Sequence, residues 1–140
     1  VYKCSLPLWQ NIEKNHLDWI NKNIKETDRV LDAGCGYGRM ARHFTNYVGV
    51  DFSPDFTNIA KEINPEKDFF VQDLTNLDFE DEEFDVAFAI SIKAMIIREI
   101  GEESWQKMEN ELKRVAKKVL ILEYSDGSGN HLGNNVEILK

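Results

Sequence analysis

Cysteine, histidine and long apolar runs are scarce in this 140-residue chain, and each scarcity removes a class of function. Two cysteines, Cys4 and Cys35, cannot make a disulfide framework, and neither a CxxC nor an HxxxH spacing occurs. The three histidines, His16, His43 and His131, are scattered along the chain, so no metal site is expected. No segment approaches the roughly 20 apolar residues that span a bilayer, and no signal-peptide pattern opens the sequence. The longest apolar tract, residues 86–97, is interrupted by Ser91 and Lys93. These absences predict a cytoplasmic protein without a membrane partner. Basic residues are also outnumbered. With 17 Lys and Arg against 25 Asp and Glu, the net charge of -8 is the wrong sign for neutralising phosphates, which argues against a nucleic-acid partner. The densest basic group, Lys113, Arg114, Lys117 and Lys118, reads as helix-terminal charge complementing a dipole.

What is present is an alternation of two hydrophobic periods. Trp9, Ile12, His16, Trp19, Ile20 and Ile24 recur at helical spacing behind Pro7, and Val30-Leu31 is a short strand stopped by glycines. A short helix is predicted over 39–45 and a second strand over Tyr47–Val50, ending at Asp51. Ser53-Pro54 opens a helix that closes near Asn64-Pro65. A third strand over Phe69–Gln72 precedes an acidic loop, and Phe84–Ser91 has the continuous apolar content of a strand buried on both faces. Trp105, Met108, Leu112 and Val115 share one face of a helix that begins with Glu102 and Glu103; Lys118–Tyr124 is a fifth strand. The tail is loop, with a short strand at Val136–Leu139. Strands alternating with helices of about ten residues imply right-handed crossovers, hence an α/β, doubly wound, mostly parallel sheet with helices on both faces, in one domain over 1–140.

In such a sheet, ligands bind beyond the carboxyl ends of the strands. The first strand ends in Asp32-Ala33-Gly34-Cys35-Gly36-Tyr37-Gly38, whose glycines permit a tight turn and close approach of a ligand to backbone. The amides opening the following helix would point at that ligand. The dinucleotide fingerprint is GxGxxG; here the spacing is one residue shorter, and Asp32 would repel a pyrophosphate but suit a cationic group such as the ammonium of an amino acid. An NAD-dependent oxidoreductase is thereby demoted.

This segment resembles the first motif of class I S-adenosylmethionine (SAM)-dependent methyltransferases, an acidic residue followed by GxGxG. The resemblance extends from about Trp9 to Tyr124 and implies SAM as cofactor, with S-adenosylhomocysteine as product. It implies that Asp32, Gly34, Cys35, Gly36 and Gly38 form the turn against the cofactor and that Asp51 holds both ribose hydroxyls. It further implies that Phe52 packs on the adenine, that Asp73 and the Leu74 amide meet the adenine edge, and that Ala89, at the end of Phe84-Asp85-Val86-Ala87-Phe88-Ala89, lines the methionine half. The implied reaction moves a methyl group to an O, N, S or C nucleophile of a small molecule or protein. The alternative is a non-catalytic SAM-binding regulatory or partner-binding module. No catalytic residue stands out; Tyr2, Trp9, Ser91, Lys93, Glu123 and Tyr124 are candidates for the border of an acceptor pocket. An Asn/Asp-Pro-Pro-aromatic motif is absent, with Ala89-Ile90-Ser91-Ile92 in its place, which lowers the case for base N-methylation. The tail is too short for the family's usual final strand pair. That predicts an open edge at the fifth strand and self-association into a homo-oligomer through it.

Overall fold

The computed structural model describes residues 6–125 and 131–140. Eleven elements follow one another in the order α1 (Leu6–Asn23), β1 (Arg29–Ala33), a 3-10 turn (Ala41–His43), β2 (Asn46–Asp51), α2 (Pro54–Ile63), β3 (Asp68–Val71), β4 (Phe84–Ile90), α3 (Lys93–Glu99), α4 (Glu102–Val115), β5 (Ala116–Ser125) and β6 (His131–Ile138). The strands make one sheet in the order β3-β2-β1-β4-β5-β6. All neighbours are parallel except β5 and β6, which pair antiparallel with Leu120 opposite Ile138 and Leu122 opposite Val136. The strand order reverses between β1 and β4, where a doubly wound sheet opens its ligand crevice.

Two apolar layers cover the two faces of the sheet. On one, Ile20 of α1, Ile24, Met40, Ala41 and Ala60 of α2 pack on Val30, Tyr47, Phe69, Phe88 and Leu120. On the other, Ile96 of α3 and Trp105, Met108, Leu112 and Val115 of α4 pack on Leu31, Val48, Val50, Ala87 and Ile121. Alternate residues of each central strand therefore serve opposite layers, as the two-residue period of a strand requires. Local chemistry sets the helix ends. Ser53 Oγ accepts the Phe56 amide at 3.2 Å, Pro54 occupies the first turn of α2, and Asp55 adds negative charge there. α4 carries Glu102 and Glu103 in its first turn and Lys113 and Arg114 in its last, in accord with the helix dipole. Arg114 has a second task. Its guanidinium donates to the carbonyls of Phe79 (2.8 Å) and Leu77 (2.9 Å) and pairs with Asp81 and Glu111, pinning the acidic loop before β4.

Three sequence expectations change. The helix predicted over 39–45 is a single 3-10 turn, because the bonds from Gly38 to Phe44 all reach back three residues before β2 begins at Asn46. No α-helix follows the glycine turn, so the expected set of helix-opening amides is missing there. α3 was not foreseen, since its residues lie inside an apolar tract that gave no start or stop signal. The edge of β5 is not open: β6, longer than the expected 136–139 strand, closes it, leaving β3 and β6 as the outer strands. No helix among the described residues is long and apolar enough to cross a membrane.

Candidate functional site

The carboxyl ends of β1, β2 and β3 and the helices α3 and α4 enclose a cavity of about 630 Å³, within the usual size range of small-molecule sites. Its polar wall comes from the strand ends. Gly34 and Gly36 have positive φ values of 77° and 54°, and a Cβ placed on Gly36 would meet nothing within 4 Å, so that backbone faces open space. The Gly36 amide donates to Asp51 Oδ2 at 2.9 Å and the Ser53 amide to Oδ1 at 3.0 Å; the Gly34 and Cys35 amides both donate to the Val50 carbonyl. The glycine turn and the end of β2 are thus joined as one piece. Phe52, 74% exposed, stands at the rim with Phe56, against whose ring Tyr37 packs edge-on with centroids 4.6 Å apart.

Gln72, Asp73 and Leu74 continue the wall after β3. Asp73 Oδ1 accepts both the amide (2.9 Å) and the hydroxyl (2.7 Å) of Thr75, and these bonds hold its carboxyl below the usual carboxylate range. The opposite wall is apolar: Ile92, Met95, Ile96, Ile100 and Met108. Asp51 and Asp73 are the only ionisable side chains among the described lining residues.

Six of the ten residues expected at the site, Gly34, Gly36, Asp51, Phe52, Asp73 and Leu74, line this one cavity. The other four do not. Asp32 alternates with Leu31 and Ala33 along β1, so its side chain enters the α1/α2 layer, where it is 3% exposed and accepts the Tyr47 hydroxyl at 2.6 Å. Burial pushes its carboxyl up to about 6, against the Tyr47 hydrogen bond and Arg39, which lower it, and with Asp51, which raises it. Cys35 is buried in the α1/α2 layer, and burial followed by the nearby Asp32 and Asp51 charges raises its thiol, which favours the neutral form. Gly38 is needed for packing: a Cβ there would lie 2.8 Å from the Phe69 ring and 3.1 Å from Ala60. Ala89 is fully buried in the α3/α4 layer.

Among the acceptor-pocket candidates, Tyr2 and the side chains of Trp9 and Tyr124 lie outside the described residues. Ser91, at the end of β4, has a φ of 58°, and its buried Oγ has no hydrogen-bond partner among the described residues. Glu123 Oε1 accepts the Ala94 amide at 3.1 Å and so caps α3, which has no capping side chain of its own; burial raises its carboxyl. Lys93 pairs with Glu137 at 2.7 Å. Sequence reasoning missed Phe56, Val71 and the apolar wall of α3 and α4; the advance signals for that wall were the apolar tract over 86–97 and the apolar helix face that carries Met108, neither of which pointed to the site.

The cavity fits a SAM-sized ligand on three counts. A Cβ at Gly36 would occupy the open space beside it, a carboxylate adjoins that space, and the remaining walls are apolar with an exposed aromatic rim. An uncharacterized protein of Methanocaldococcus jannaschii is 39% identical over 70 residues, covering 50% of this chain and 28% of its own length. A Drosophila melanogaster protein named eEF1A lysine and N-terminal methyltransferase homolog is 28% identical over 109 residues, 71% of this chain and 16% of that protein. The chain thus spans less than a third of either curated relative. The crystal structure of the PH0226 protein from Pyrococcus horikoshii OT3 superposes with a TM-score of 0.73 at 26% identity, covering 86% of this chain and 60% of that one. The methyltransferase-domain family matches residues 30–119, from the first residues of the strand that bears Asp32 to the middle of β5, and with the glycine turn and cavity described above this chain belongs to that family.

Proposed function

We propose that the protein binds SAM in the cavity and transfers its methyl group to a nucleophilic O, N, S or C atom of a small molecule or protein. The observation that carries this reading is the junction of Gly36 and Asp51: an open-faced glycine turn held to a carboxylate that ends β2. Asp51 has about four acceptor positions, two of them taken by backbone amides, so two remain for a pair of ribose hydroxyls. Phe52 and the α3 wall offer apolar faces to the adenine, Asp73 and the Leu74 amide offer it polar edge contacts, and the backbone of Gly34 and Gly36 borders the methionine part.

Bound SAM supplies a methyl group already activated by its sulfonium. The protein's own contribution is orientation and exclusion of water, for which the apolar wall of Ile92, Ile96 and Met108 is suited. A side-chain base is not obligatory, and neither lining carboxylate is required as one. The name of the Drosophila relative makes protein amino groups, on lysine and at the N-terminus, the first acceptors to try. Titration calorimetry with SAM, S-adenosylhomocysteine and NAD, followed by transfer of labelled methyl to peptide and small-molecule panels, tests the reading. Tighter binding of NAD than of SAM would overturn it, and SAM binding without transfer to any acceptor would reduce it to cofactor binding.

A further inference from the structure

Tyr47 was given no role by the sequence, yet it is the hydrogen-bonding partner of Asp32. It lies on β2 opposite Val30, and Asp32 lies opposite Gly49, so the two side chains share one face of the sheet and meet on the diagonal. The hydroxyl donates to Asp32 Oδ2 at 2.6 Å, with both residues buried. The phenol ring is fixed by Phe44 stacked on it at 6.2 Å and Phe69 edge-on at 5.7 Å. Gly49 completes the arrangement: a Cβ there would stand 2.9 Å from the Tyr47 hydroxyl oxygen, so the glycine keeps that space clear.

We propose that Tyr47 is a positioning residue for the cofactor site, holding the Asp32 carboxylate behind the glycine turn so that the cationic methionine end of the cofactor meets a fixed negative charge. This rests on the SAM reading above. Asp32 does not line the cavity, so its effect is that of a charge acting through the turn, strong because burial keeps water from screening it. Among the described residues, the charged and titratable groups facing it are Arg39 and Cys35 of the turn and Tyr47 and Asp51 of β2. α1 adds the buried His16, which is coupled to Arg39 and, pushed down to about 4, stays neutral across the range tested. With its carboxyl pushed up to about 6, Asp32 changes charge in the weakly acid range. The cofactor's ammonium favours the ionised form, so binding drives a proton off and affinity falls as the pH drops below 6. Removing the Tyr47 donor withdraws a contact that favours the ionised form and moves that fall to higher pH.

The test is calorimetry with S-adenosylhomocysteine from pH 5 to 8 on the wild type, Tyr47→Phe and Asp32→Asn. In the wild type affinity should fall by up to about tenfold per pH unit below the transition. Tyr47→Phe should bind more weakly than the wild type already at pH 8, where Asp32 is ionised but no longer held, and should begin its loss on acidification at a higher pH than the wild type does. Asp32→Asn should be weaker at pH 8 and flat with pH. A purely structural Tyr47 would lower affinity equally at every pH, and identical pH profiles for wild type and Tyr47→Phe overturn the proposal. If Tyr47→Phe does not fold, the wild type decides through the phenol itself: the carbon-13 resonance of the Tyr47 ring carbon that bears the hydroxyl should shift through the same pH transition as the affinity, and a resonance that stays put across it overturns the proposal. Titration at pH 6 in two buffers of different ionisation enthalpy should show part of a proton released, and no release overturns the inference. Absence of S-adenosylhomocysteine binding at every pH refutes the SAM reading itself, and the inference with it.

Discussion

The amide of Gly36 donates to Asp51 Oδ2 over 2.9 Å, so the carboxylate at the end of β2 serves the shape of the turn as well as facing the cavity. Replacing Asp51 with alanine should therefore weaken SAM and S-adenosylhomocysteine by about 1–3 kcal/mol through lost charged hydrogen bonds. Calorimetry on a variant whose circular dichroism matches the wild type is the measurement. Unchanged affinity would remove Asp51 from the cofactor site.

Gly36→Val should abolish cofactor binding while the sheet persists. The branched side chain would enter space that is empty in the folded protein, at a φ of 54° that a β-branched residue resists by about 1–2 kcal/mol. Thermal melting should show a modest loss of stability beside complete loss of SAM binding. Normal SAM affinity in this variant would mean that the ligand does not approach the turn.

Ser91 occupies the left-handed region at 58° without the excuse of being glycine. Such strain is tolerated mostly where the side chain or the backbone direction is needed at a site. Ser91→Gly should raise stability by about 1 kcal/mol by relieving the strain, offset in part by the greater freedom of the unfolded chain. Ser91→Ala, which keeps the strain, should not. Urea melts of the two variants decide, and a Ser91→Gly variant less stable than Ser91→Ala would contradict the strain argument.

Two buried groups give opposite pH slopes to stability. His16 is pushed down to about 4 by burial and by Arg39, against Glu13, so it stabilises the fold above 6.5 and that contribution is lost as the pH falls toward 4. Asp32, raised to about 6, works the other way: its contribution is full below about 4 and is lost as the pH rises through 6. Each shift of about two units corresponds to about 3 kcal/mol. Asp32→Asn removes one slope, so the variant should gain on the wild type by about 3 kcal/mol between pH 4 and pH 7. Denaturation midpoints followed across that range test it; parallel curves would show that Asp32 titrates like an exposed carboxyl.

Much of the architecture was legible because it is encoded locally. The apolar runs at Val30-Leu31 and 84–90 could only be central strands, Ser53-Pro54 could only start a helix, and the glycines after Ala33 could only turn. Asp51 was readable for the same reason: a carboxylate directly after a buried parallel strand must sit at the crevice edge. The tertiary structure decided what depends on the direction of a side chain or on meetings across the chain. Strand alternation sends Asp32 away from the cavity and onto Tyr47, and the close approach of Phe69 and Ala60 makes Gly38 a packing glycine. The apolar wall unites Ile92 and Met108 with Phe52 and Val71, residues far apart in the chain that meet only when β4 is laid beside β1. A period of two or of 3.6 tells which face a residue joins, but it does not tell what the crossover will bring against that face.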